Sequence, residues 1–136
     1  DTALPGWTAE NNTMTRLQTL MAAMQKHEGY FIGSRSSRNN NPGNLRWSRF
    51  MVKQVSGFAS FASFADGWLA LWFDLFGKCT GHTITNLKPT STLADLIWVW
   101  APPKDGNNSE AYIAHVCALT GFDRNVSLEW LVADMS

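Results

Sequence analysis

Residues 24–47 read MQKHEGYFIGSRSSRNNNPGNLRW, and the junction inside this stretch decides how the chain is organised. Up to His27 the pattern is helical: Met14, Leu17, Leu20, Met21 and Met24 recur at the spacing of one helix face. Past it, residues 29–63 are rich in Gly, Ser and Asn and hold no long periodic run. Glu28 stands at the switch, between a histidine and a glycine. A carboxylate at a helix C-terminus faces the negative end of the helix dipole, at a cost of a few tenths of a kcal/mol. The same field favours the protonated carboxyl, and a retained proton is what a general acid needs. Taken alone, the spacing equally describes a solvated glutamate at a helix end.

Asn39-Asn40-Asn41-Pro42-Gly43-Asn44 is a dense turn signal. Pro-Gly predicts a type II turn, and asparagine tolerates left-handed backbone. With Arg38 and Arg46 on either side, the loop concentrates amide and guanidinium donors in one place. Such donors suit the hydroxyl and acetamido groups of a glycan.

Working outward, residues 1–12 read as an irregular lead-in, and Asn12 or Thr13 as the cap of the first helix. Leu45 to Val55 is a candidate short strand pair, and Gly57 to Phe64 an extended, packed rim. Helical spacing returns after Asp66-Gly67 with Trp68, Leu71, Trp72, Leu75 and Phe76, and Gly77 is expected to end it. Thr92 and Asp95 form a capping box opening a helix through Trp100, which Pro102-Pro103 must stop. Ser109 is expected to cap a helix holding Tyr112, Ile113, Val116 and Leu119, closed by Gly121, and Ser127 to begin a last short helix. The expected fold class is mainly α (α+β), one domain over residues 1–136, with a short β or irregular region after the first long helix.

Composition narrows the function. A chain of 136 residues buries roughly two-thirds of its unfolded surface, enough for one core. Formal net charge is zero, so no bulk field selects nucleic acid or an anionic membrane. No stretch approaches the roughly 20 apolar residues of a membrane span. Seven tryptophans are many for this length; most belong in a core, and one or two could line a groove. Cys79 and Cys117 are too few for a disulfide framework, and Cys117 reads as a buried helix thiol. His27, His82 and His115 show no metal-ligand spacing, so neither a metal nor a cofactor is expected.

Three segments together carry a resemblance: HEGYFIGSRSSRNNNPGNLRW, then FASFASFADGWLALW, then WAPPKDGNNSEAYIAHV. Their order is similar to that of the lysozyme-like superfamily, in particular the small peptidoglycan-cleaving domains of phages and bacteria, including flagellar-type glucosaminidases. The resemblance covers about residues 14–122. It departs at Trp100, where those relatives often carry Tyr before Ala-Pro. It implies a lysozyme-like fold and a glycoside hydrolase that cleaves the glycan strands of bacterial cell wall, with Glu28 as general acid. It implies Tyr30, Asn41, Asn44, Arg46, Trp100 and Tyr112 as substrate-binding groups, and Asp66 or Asp105 as a second carboxylate. The alternatives are a lytic transglycosylase that leaves anhydro ends, and a wall-binding phage structural module without chemistry. Any of these would act in the periplasm or cell wall, as an exported, injected or virion-associated protein. In a secreted effector, a cognate immunity or inhibitor protein would plug the groove.

Overall fold

The computed structural model describes residues 13–135, so the lead-in and the candidate cap Asn12 lie outside the described residues. The fold is mainly helical with one small antiparallel sheet: α1 (Arg16–His27), α2 (Arg35–Arg38), β1 (Lys53–Val55), β2 (Phe58–Ser60), α3 (Phe64–Cys79), α4 (Leu93–Trp100), a 3-10 turn (Pro103–Asp105), α5 (Ser109–Thr120) and α6 (Leu128–Val132). Among the described residues no helix is long and apolar enough to cross a membrane.

The first helix is the centre of the molecule. Its Leu17, Leu20, Met21 and Met24 are fully buried, and it packs against α3, α5 and α6. Around it stand Leu71 and Leu75 of α3, Leu96 and Ile97 of α4, Ile113 and Val116 of α5, and Leu128 and Leu131 of α6. Each such side chain contributes about 1.5–3 kcal/mol on burial. The tryptophans depart from expectation. None of those described is fully buried; Trp68, Trp72, Trp100 and Trp130 flank the aliphatic core, and Trp47 and Trp98 are exposed. An indole is too large to bury whole in so small a core, whereas Leu and Met fill it in compact rotamers.

Helix boundaries follow side-chain caps. Thr15, not Thr13, opens α1 through a capping box with Gln18. Thr92 and Asp95 form the expected box at α4. Asn108 rather than Ser109 caps α5; Ser109 instead donates to the Ala101 carbonyl at 2.6 Å. Gly121 ends α5 at φ 77°, and Ser127 caps α6. The third helix begins earlier than periodicity suggests, because the Ser63 hydroxyl caps it, and it runs through Gly77 to Cys79. Both cysteines are free thiols; Cys79 is the buried one and Cys117 only half-buried.

The asparagine segment is a second, smaller unit. Strand pairing falls at 53–55, at the end of the expected Leu45–Val55 stretch, and at 58–60, beyond it. Ser56 and Gly57 both take left-handed backbone, at φ 51° and 83°, as a two-residue hairpin turn needs. Its small cluster is Leu45, Ala59, Phe61 and Ala70. The turn at Asn41–Asn44 closes through Asn44 N–H to the Asn41 carbonyl at 3.0 Å, but it is not type II. The left-handed residue is Asn44 at φ 52°, and Gly43 does not take positive φ. Gly43 serves packing instead, since a Cβ there would stand 2.7 Å from Leu71 Cδ1. Gly67 of α3 has the same purpose more severely: its Cβ would meet the Asn40 carbonyl oxygen at 1.8 Å. These two glycines let the asparagine loop lie directly on α3.

Candidate active site

Glu28 is the C-cap of α1. Gly29, at φ 77°, turns the chain away at once: its N–H meets the Lys26 carbonyl at 3.1 Å, and Tyr30 N–H meets that of Gln25 at 3.2 Å. This double closure is the Schellman arrangement, and it leaves the Glu28 side chain on the rim of the helix end. Two donors from distant elements reach its carboxylate. Tyr112 Oη of α5 donates to Oε2 at 2.8 Å, and Trp100 Nε1 at the end of α4 donates to the same oxygen at 3.3 Å. Oε1 receives no hydrogen bond from the described residues. With Oε2 occupied by two donors, a proton on this carboxyl is carried by Oε1.

Tyr112 is only 3% exposed. Burial pushes its phenol pKa far up, and the charge of Glu28 pushes it further, so it remains a donor throughout the working pH range. Behind it, the His27 ring lies 3.7 Å from the Tyr112 ring, centroid to centroid. His27 Nδ1 and His115 Nδ1 are 2.8 Å apart, a contact that requires one proton between the two nitrogens. Burial holds the His27 pKa below its ordinary value; Glu28 opposes that shift and His115 reinforces it. Among the described residues no three His, Cys, Asp or Glu side chains are grouped to hold a metal ion.

Glu28 sits where two depressions meet. One, of about 510 Å³, runs past Asn44, Arg46, Phe58, Trp100 and Asp105. The other, of about 260 Å³, is walled by Phe31 and Ser34. Glu28, Arg35 and Asn44 line both. A third depression of about 320 Å³, bordered by Trp47, Arg49 and Phe73, adjoins the larger one through Leu45 and Asp74. Taken as one trench, the three depressions share lining residues in turn, and Glu28 lines two of them.

The expected site residues separate accordingly. Asn44, Arg46, Trp100 and Tyr112 gather around Glu28 or its trench. Asn44 Oδ1 is buried without a hydrogen-bond partner, an acceptor left for a ligand or a water. Asn41 does not reach the trench. It is fully buried, its amide donating to the Leu45 and Ala59 carbonyls at 2.8 and 2.9 Å while its oxygen accepts from Leu45 N–H at 2.9 Å. Tyr30 also lies outside the trench lining and stacks edge-on against Phe64, 5.4 Å between centroids. Asp66 is neither a groove residue nor the cap of α3: it occupies the first turn, its N–H donating to Ser63 Oγ. Asp105 does line the trench, exposed on the 3-10 turn opposite.

Sequence reading missed Arg35, Asp74 and Lys78, all of which line the trench. Asp74 is paired with Lys78 one helical turn on, so its charge is neutralised locally. That i, i+4 pair was readable from the sequence of α3, where it borders the buried Leu71 and Leu75. In comparison with known proteins, no family model matches the chain, and no curated relative and no solved structure matches it either.

Proposed function

We propose that this chain is a glycoside hydrolase of lysozyme-like type that cleaves the glycan strands of peptidoglycan, with Glu28 as general acid. The observation that carries the reading is the carboxyl itself: placed inside a trench, one oxygen held by Tyr112 and Trp100, the other left to address a ligand. A polymer passing through the trench would present a glycosidic oxygen to Oε1. Protonating it lets the bond to the leaving sugar break. Asn44 Oδ1 suits an acetamido N–H of the substrate, and half-buried Trp100 a sugar face. The likeness of the three sequence segments to small wall-cleaving domains supports the same reading. The proposed place of action is the cell wall or periplasm.

Asp105 is the best-placed second carboxylate, since Asp66 does not line the trench and Asp74 is paired. Its position on an exposed turn also supports the alternative, a transglycosylase that needs one acid and closes an anhydro ring on the sugar. Incubation with purified peptidoglycan followed by mass spectrometry separates the readings. Hydrolysis gives reducing ends, transglycosylation gives anhydro ends, and a wall-binding module leaves the strands intact. Glu28→Gln is expected to keep the melting temperature and lose about 100-fold or more in rate. A Gln variant that cleaves at the wild-type rate removes Glu28 from the chemistry.

A further inference from the structure

The arginines divide into two groups. Arg16 donates to the Trp130 carbonyl, Arg38 to that of Gly33, and Arg124 pairs with Glu110. Arg35, Arg46 and Arg49 have no carboxylate and no hydrogen-bond acceptor among the described residues, and all three line the trench. Each lies over an aromatic ring instead. Arg49 is 4.9 Å from the centroid of Phe50 and 5.3 Å from that of Phe73. Arg35 and Arg46 share one ring, Phe58, at 3.7 and 4.7 Å from its centroid. They reach that ring from separate parts of the chain: Arg35 begins α2, Arg46 follows the asparagine turn, and Phe58 opens β2.

Stacking explains why each side chain is ordered. It does not explain why two like charges converge on one ring at the trench wall of a chain whose net charge is zero. The ring contacts use no N–H group, and the N–H groups of both side chains remain without an acceptor among the described residues. Two guanidinium groups lining one depression can both address an anion held there, and guanidinium matches the planar carboxylate two bonds at a time. Of the carboxylates lining that depression, Asp74 is taken by Lys78, and neither Glu28 nor Asp105 forms an ion pair with Arg35 or Arg46.

We infer that Arg35 and Arg46 form a carboxylate subsite flanking Glu28, so that the protein selects glycan bearing acidic groups over neutral glycan. This rests on the glycan-cleaving reading and refines its substrate class. The acidic group is a carboxylate carried either on the sugar, as a lactyl ether, or on the peptide attached to it. Arg35 lies in both depressions that meet at Glu28, so such a carboxylate would fix which sugar stands at the acid.

The test is binding to the full chain carrying Glu28→Gln, which prevents turnover, followed by intrinsic tryptophan fluorescence. Four tetrasaccharide probes are compared: peptide-free wall fragment with lactyl carboxylates, the same with those carboxylates converted to methyl amides, fragment still carrying its peptides, and neutral chitotetraose. The expected result is about 10-fold or more tighter binding of an acidic fragment than of the amidated one. That preference should shrink between about 50 mM and about 1 M salt. Adding Arg35→Gln and Arg46→Gln should abolish the preference, and the Arg→Lys pair should retain part of it. Tightening for the peptide-free acid assigns the group to the sugar; tightening only for the peptide-bearing fragment assigns it to the peptide. Equal binding of all four probes overturns the subsite and leaves the glycan groove standing. No binding of any probe overturns the glycan-cleaving reading together with it. If the Gln pair does not fold, an acidic-fragment preference in the parent that is unchanged by salt overturns the subsite.

Discussion

Two regions of this molecule are held together by different physics. The helical unit around α1 is an aliphatic core in which Leu17, Leu20, Met21 and Met24 pack with α3, α5 and α6, and its polar groups are spent on caps. The asparagine segment, residues 39–61, buries few apolar side chains and is stitched by amides. Asn40 donates to the Phe61 carbonyl at 3.0 Å, and Asn41 ties Leu45 to Ala59. Hydrogen bonds of this kind contribute little net energy when made and cost much when one partner is removed. The first region should therefore yield gradually to substitution and the second abruptly. The site lies on the seam. Glu28, Trp100 and Tyr112 come from the helical unit, and Asn44, Arg46 and Phe58 from the stitched one.

The contact between the regions gives the largest expected effect. Gly67→Ala would drive a Cβ into the Asn40 carbonyl, and since backbone cannot give way cheaply, a loss of about 3 kcal/mol is expected. Chemical denaturation should show it, whereas Gly121→Ala, which meets nothing within 4 Å and strains only a positive φ, should cost about 1 kcal/mol. Equal losses would mean that the two regions do not bear on each other through Gly67.

Asn41→Ala comes next. It deletes no appreciable apolar area, yet it orphans Leu45 N–H and the Ala59 carbonyl and leaves the Leu45 carbonyl with Ala59 N–H alone, and about 2–3 kcal/mol is expected. That would equal the low end of Leu20→Ala, about 2–5 kcal/mol by cavity formation. A melting temperature unmoved by Asn41→Ala would refute the amide-stitched account of the segment.

Within the site, Tyr112→Phe removes one donor to Glu28 and keeps the buried ring. The expected result is about a 10-fold fall in cleavage rate with a changed pH–rate profile. A stability loss with an unaltered pH–rate profile would make Tyr112 a core residue only.

The smallest effect concerns His27. Its folded pKa lies below the ordinary 6.5, mainly through burial, so the folded state resists the proton that the unfolded chain accepts. Its contribution to stability is intact above about pH 6.5 and is lost as pH falls from there through the folded value. Melting temperature should decline on acidification over that window, and His27→Gln should flatten the decline. Glu28, His115 and Tyr112 are the groups that face it, so the double variant with His115→Gln tests whether the pair acts together.

Much of the helical unit was legible because its signals are local. A 3.6-residue period marks a buried face, and Thr92 with Asp95 or Gly121 at a helix end acts within one turn of itself. The errors there were local competitions. Thr15 outcompeted Thr13 because Gln18 completes its box, and Ser63 started α3 a turn early. In the stitched unit the same letters misled. Pro42-Gly43 suggested a left-handed glycine, whereas Gly43 is there to clear Leu71, and Asn44 takes the left-handed place.

From sequence alone came the helical class, the end of α1 at Glu28, and the suspicion that a carboxylate set against the helix dipole has a chemical use. Tertiary structure alone decided which residues stand beside it. Trp100 and Tyr112 reach Glu28 across 72 and 84 positions, and Arg35 and Arg46 come to one ring only because β2 carries Phe58 to both. Periodicity and capping extend over a turn or two of chain, because they arise from backbone geometry. A hydrogen bond between distant segments depends on how the helices between them pack, and no stretch of a few residues encodes that.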